Sequence, residues 1–148
     1  MQKRLLFLGL TLLTMSTSAT DIIKEGQEYP LAKMKEQNQQ IIKMVVKEIS
    51  KTLPQKVDKY TSMTKIEENN LTLIYTFEIN TGTKSDEDVK EKDKPRMGKA
   101  VTKGVCQSSK RFLDSGITLN YAYLNASTKK ELFTFSINQK KCKKLYND

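Results

Sequence analysis

Two cysteines, a scatter of carboxylates and no histidine bound the chemistry open to this 148-residue chain. Cys106 stands in the basic stretch "TKGVCQSSKRFLDSG", and Cys142 in "NQKKCKKLYND" near the end. A lone thiol of this kind can be a nucleophile, a metal ligand or half of a bridge. A nucleophilic thiol needs a neighbouring base, and without histidine the Cys–His and Ser–His pairs and the usual base near neutral pH are missing. Two cysteines 36 positions apart do not form a CxxC redox pair, and two thiolates without an imidazole make a poor zinc site. In an exported chain they read as one disulfide, Cys106–Cys142. Closing a loop of that length is worth about 3–4 kcal/mol in the chain-entropy model.

Carboxylate chemistry is the remaining catalytic route. Asp58, Glu67, Glu68 and Glu78 fall on or near the first pair of strands, and Asp114 follows the second helix. Hydrolysis by two carboxyls requires them to face each other across a cleft, one with a raised pKa. Nothing in their spacing sets up such a pair, and Glu67 and Glu68 are adjacent in a turn. The acidic run "SDEDVKEKD" suggests calcium, but it lacks the glycine of an EF-hand loop and lysines interrupt its ligand positions. A solvated loop, or Ser85 capping a short helical turn, is the expected reading. No residue is assigned a catalytic, metal-binding or cofactor-binding role.

Charge carries more information. Lys140, Lys141, Lys143 and Lys144 surround Cys142, and Lys129 and Lys130 lie in the last turn. If a disulfide holds the tail against the body, these residues can cluster with Lys103, Lys110 and Arg111 beside Cys106. Such a basic patch suits an acidic protein partner or anionic lipid headgroups. The positive charges are almost all lysine, with arginine only at Arg4, Arg96 and Arg111. Lysine lacks the bidentate fork used to read phosphates and guanines, so specific nucleic-acid binding is not expected. "NLT" at Asn70 and "NAS" at Asn125 match the glycosylation sequon.

The elements that must position these residues begin after the N-terminus. Met1–Arg4 is basic, Leu5–Leu13 apolar and Thr14–Ala19 small, the order of a secretory signal peptide cleaved after Ala19. The apolar run is about half the ~20 residues a membrane span needs. Cleavage leaves residues 20–148, with 24 basic against 17 acidic residues, a length suited to one domain. From Pro30, the residues Leu31, Met34, Ile41, Ile42, Val45, Ile49 and Leu53 form a helical stripe ended near Pro54. "VDKYTSMTKIE" and the strictly alternating "NNLTLIYTFEIN" read as a hairpin turning at "EENN". The charged segment "TGTKSDEDVKEKDKPR" reads as a mobile loop. A second helix is expected over Met97–Asp114, with Val101, Val105, Phe112 and Leu113 inward and Gly116 as its stop. A second hairpin follows, bringing Tyr121 and Tyr123 close to Phe133 and Phe135 as core. The predicted fold is α+β, an antiparallel four-stranded sheet in α-β-β-α-β-β order with helices on one face.

Several stretches together resemble a known class. "LPQKVDKYTSMTKI", "NNLTLIYTFEI", "GVCQSSKRFLDSGITLNYAYLN" and "ELFTFSINQKKC" look like small exported bacterial proteins of uncharacterised function, over residues 41–142. The likeness rests on "LPxxVD", the tyrosine-bearing strands and the cysteine pair, and it implies a bacterial envelope setting. The expected function is a non-enzymatic exported interaction protein, periplasmic or secreted, whose partner is another envelope protein, as for an inhibitor, immunity factor or secretion accessory. The alternatives are a small carboxylate-dependent hydrolase and a binder of anionic surfaces.

Overall fold

The computed structural model describes residues 30–147; the signal segment expected over residues 1–19 and its cleavage near Ala19 lie outside the described residues. Helix α1 (Leu31–Ser50) leads into a short strand β1 (Gln55–Lys56) and the hairpin β2 (Thr61–Asn69) and β3 (Thr72–Ile79). A helical crossover follows: α2 (Asp86–Asp88), one π-helical turn (Val89–Asp93), α3 (Lys94–Ser108) and α4 (Lys110–Asp114). Strands β4 (Thr118–Asn125) and β5 (Glu131–Ile137) form the second hairpin, and α5 (Gln139–Asn147) ends the described chain.

The α+β class is as expected, but the sheet is not the four-stranded antiparallel one. It has five strands in the order β1-β2-β3-β4-β5, and β3 pairs with β4 in parallel. The reason is the crossover. Two adjacent strands joined by a long helical excursion can enter from the same end of the sheet, whereas a short turn forces the chain to reverse. The charged segment expected to be a mobile loop is helical from Asp86 onward. Ser85 caps its start by accepting a bond from the Asp88 amide, and Lys92 reaches Asp88 one turn back at 2.6 Å. The expected single second helix is broken at Ser109, and α4 ends on Gly116 at φ 84°, where a side chain would be strained.

One face of the sheet carries the core. Ile42 of α1, Ile66, Leu73, Leu119 and Ile137 of the strands, and Val105 and Leu113 of the crossover are all buried together. The inward positions expected for the second helix are in place, with Val101 and Phe112 half-buried against the same cluster. The apolar stripe of α1 is shorter than its sequence suggests. Val45 and Ile49 pack on the sheet beside Ile42, but Leu31 is 83% exposed and Met34 and Ile41 are also exposed. A 20-residue helix is about 30 Å long, and its first two turns outrun the surface available to bury them. Asn38 marks where contact begins, donating to the Ser115 carbonyl at 2.9 Å.

The parallel register builds an aromatic ladder. It sets Tyr75 beside Tyr121 and Phe77 beside Tyr123, with ring centroids 5.1 and 5.0 Å apart. The β4–β5 register sets Tyr123 opposite Phe133 and Tyr121 opposite Phe135, so the four aromatics expected to meet across the second hairpin do so, as core. Burial pushes the Tyr123 hydroxyl up to about 12, with the charge of Asp58 adding to it. Tyr121 is raised further, again chiefly by burial.

A tyrosine whose folded pKa lies above its unfolded value stabilises the fold fully below about pH 10 and loses that contribution as pH rises through about 12. Urea unfolding followed across this range is expected to show stability falling steeply above pH 10. Tyr123→Phe should flatten that fall; an unchanged slope would remove Tyr123 from the account.

Candidate functional site: a lysine-rimmed groove between α3 and α5

The disulfide expected from sequence is present, joining Cys106 of α3 to Cys142 of α5, and both cysteines are buried. It pins the two helices together across β5. Asn138 starts α5 by accepting from the Lys141 amide at 2.9 Å. Beyond the disulfide, toward the start of α3 and the end of α5, the helices leave a groove of about 580 Å³. Its floor is Phe135 of β5, with Pro95 and Gly98 on one wall and Leu145 on the other. Gly98 makes the floor accessible: a Cβ there would stand 3.0 Å from the Phe135 ring.

Lysines rim this apolar floor. Lys94 and Lys99 come from α3, and Lys141 and Lys144 from α5. Among the described residues none of the four lies within ion-pair distance of a carboxylate; the Lys141 amine donates only to the Ser136 carbonyl, at 3.3 Å. The two helices carry eight basic residues and no acidic one. The chain as a whole is divided the same way. Residues 1–93 hold fourteen basic and fourteen acidic residues, whereas residues 94–148 hold twelve basic and three acidic. The whole formal net charge of +9 therefore lies in the C-terminal part.

The patch expected from sequence is reached only in part. Lys141 and Lys144 line the groove; Lys103, Lys140 and Lys143 are exposed on the same two helices. Lys110 is drawn off to Asp114, four residues on, and Arg111 is exposed on α4. Lys129 bonds Glu78 at 2.7 Å and Lys130 sits beside it in the β4–β5 turn, at the other end of β5 from the start of α5. Lys94 and Lys99, which complete the rim, were not singled out by sequence. The i, i+4 row Lys94/Pro95, Gly98/Lys99, Thr102 is the signal that would have found them.

A larger cleft of about 830 Å³ opens at the end of the sheet, between the β1–β2 and β3–α2 loops and the start of α3. Most of its charges are already matched, Lys59 lying instead over the Tyr60 ring. Asp93 accepts from Lys84 at 2.9 Å and lies 3.6 Å from Arg96, while the Asp58 carboxylate accepts from the amides of Tyr60 and Thr61. The groove, with unmatched charge around an apolar floor, is the better candidate for recognition.

The candidate carboxylates do not converge. Hydrogen bonding, first from the Tyr60 amide, holds Asp58 below the usual carboxylate range, and Lys110 followed by Gln139 does the same to Asp114. Both shifts run against the raised pKa of a general acid. Glu67 pairs with Lys65 at 2.8 Å and Glu78 with Lys129, and Glu68 is exposed on β2. Of the two sequons, Asn70 is exposed in the β2–β3 turn. Asn125 is 7% exposed and hydrogen-bonded to Asp86 at 2.7 Å, so the folded chain does not present it for modification. Among the described residues no helix is long and apolar enough to cross a membrane.

Residues 36–133 match the family described as a domain of unknown function, DUF8479, and the chain belongs to that family. The match stops short of α5, so the lysine-rich helix lies outside the matched segment. No curated protein matches in sequence. Among solved structures, a protein of Pseudomonas aeruginosa described as secreted is 16% identical with a TM-score of 0.64, covering 74% of this chain and 96% of its own. The pilotin of the Vibrio vulnificus type 2 secretion system is 13% identical with a TM-score of 0.59, covering 75% and 96%. The Vibrio cholerae type II pilotin AspS is 15% identical with a TM-score of 0.58, covering 76% and 98%. At these identities the likeness is one of fold.

Two outcomes follow from this geometry. Reduction of the disulfide, or Cys106→Ser with Cys142→Ser, is expected to lower the unfolding free energy by about 3–4 kcal/mol, read by urea titration with and without reductant. Gly104 has open space around its Cβ position, unlike Gly98. Gly104→Ala should therefore stabilise α3 by about 0.5–1 kcal/mol, while Gly98→Ala should give no gain because the added methyl meets Phe135.

Proposed function

We propose that this chain is an exported, non-enzymatic accessory protein of the bacterial envelope that works by binding another protein, a component of a secretion apparatus. In this reading residues 1–19 are the export signal and residues 20–148 the working domain. The observation that carries it is the α3–α5 groove, whose apolar floor and unmatched lysines give a binding surface with no catalytic group beside it. The fold it shares with two type II secretion pilotins and the Pseudomonas protein supports the same setting. The partner segment that suits the groove carries apolar side chains against Phe135 and Leu145 and acidic ones toward the rim.

The reading is tested by affinity capture from the native envelope with the exported chain as bait. One stoichiometric partner is expected, retained at high salt because the apolar floor supplies most of the contact. Gly98→Leu, which fills the groove over Phe135, should abolish capture while the far-UV circular dichroism stays unchanged. Capture of no specific partner, or equal capture by the Gly98→Leu protein, would overturn the reading.

A further inference from the structure

We propose that the outward face of α3 and α5, which adjoins the groove and shares Lys141, Lys144 and Leu145 with its edge, is a contact surface for anionic phospholipid membrane. Seven of the eight positive residues on these helices are lysine, and Arg96 is the eighth. A lysine ammonium is a hydrated point charge with no preferred plane. It suits phosphates that move within a fluid headgroup layer, where no fixed fork geometry is required.

The layout of α5 supports this. At 100° per residue, Lys143, Lys140, Lys144 and Lys141 occupy one continuous outward arc, opposite the buried Cys142. Leu145 and Tyr146 flank that arc in the last turn and are 42% and 57% exposed. Leucine and tyrosine beside lysines make the composition of a surface lying at the boundary between headgroups and acyl chains. The placement is also costly for the isolated fold. The first turn of α5 holds Lys140 and Lys141 and no acidic residue, which sets positive charge against the positive end of the helix dipole. An anionic layer removes both that conflict and the repulsion among the four lysines.

The charge division gives the molecule an orientation. With residues 1–93 balanced and the excess confined to residues 94–148, a negative surface attracts one side only. The lysine-bearing helices α3 and α5 then face the lipid.

The test is co-sedimentation of the full exported chain, disulfide formed, with vesicles of phosphatidylcholine alone and with a third phosphatidylglycerol. Binding is expected only to the anionic vesicles and should disappear as salt rises to about 0.5 M, where the Debye length is a few ångströms. The variant Lys103→Gln, Lys140→Gln, Lys143→Gln, which touches no groove-lining residue, should bind about tenfold or more weakly. Its unfolding temperature should be equal or higher, since the helix loses repulsion and keeps its core. The variant Lys33→Gln, Lys43→Gln, Lys47→Gln removes the same charge from a different helix, α1, and should bind as the parent does. No binding to anionic vesicles, equal weakening by both variants, or preference for soluble poly-glutamate over vesicles would each overturn the proposal, the last in favour of an acidic protein partner. Vesicle binding is independent of groove capture: Gly98→Leu should leave it intact, so either proposal can fail alone.

Discussion

The parallel pairing of β3 with β4 is the constraint on which the rest of the structure depends. It places Tyr75 and Phe77 against Tyr121 and Tyr123, linking the two hairpins through stacked rings rather than through a turn. Offset-stacked aromatic pairs contribute about 0.5–1.5 kcal/mol each beyond the area they bury, and the ladder continues through Tyr123 to Phe133 and Phe135. The same pairing obliges the chain between Ile79 and Thr118 to cross one face of the sheet. The longest helix of that crossover, α3, packs against β5 and brings Cys106 within reach of Cys142. The groove, its lysines and the disulfide all follow from how one pair of strands is aligned.

Much of this was legible in the sequence. The alternation in "NNLTLIYTFEIN" reports a strand because one face must be buried, and Leu73 and Phe77 are buried as that pattern requires. The cysteine pairing was legible from the absence of any other partner. The parallel join was not, because alternation identifies a strand without naming its neighbour. Strand β1 is only Gln55–Lys56, both exposed, and two residues carry no periodicity. The helical state of the charged crossover was hidden for a different reason. A single buried side chain, Val89, anchors it to the aromatic cluster, with polar contacts such as Lys92 to Asp88 and Lys84 to Asp93 around it, and one apolar residue in a charged run shows no periodicity.

The candidate site shows the same division. A basic patch near Cys142 could be anticipated from four lysines in five residues around one cysteine. Which lysines of α3 join it depends on where α5 lies across that helix. The structure selects Lys94 and Lys99 for the rim and leaves Lys110 bound to Asp114. Sequence proximity to Cys106 favoured Lys110 and Arg111, but helical rise carries the groove a full two turns toward the start of α3.

The disulfide then explains why such a charge distribution is tolerated. A nine-residue helix with four lysines and no acidic partner is below the length at which an isolated helix is stable in water. Its last turn buries little, with Leu145 and Tyr146 exposed. Packing alone through Cys142 and its neighbours would have to overcome both the conformational entropy of the tail and the repulsion along the lysine arc. A covalent link from Cys142 to Cys106 reduces the entropic part in the unfolded chain, so the charge can be kept on a rigid support without carboxylates to neutralise it. The bridge allows an electrostatic surface to exist where the fold by itself would discourage one.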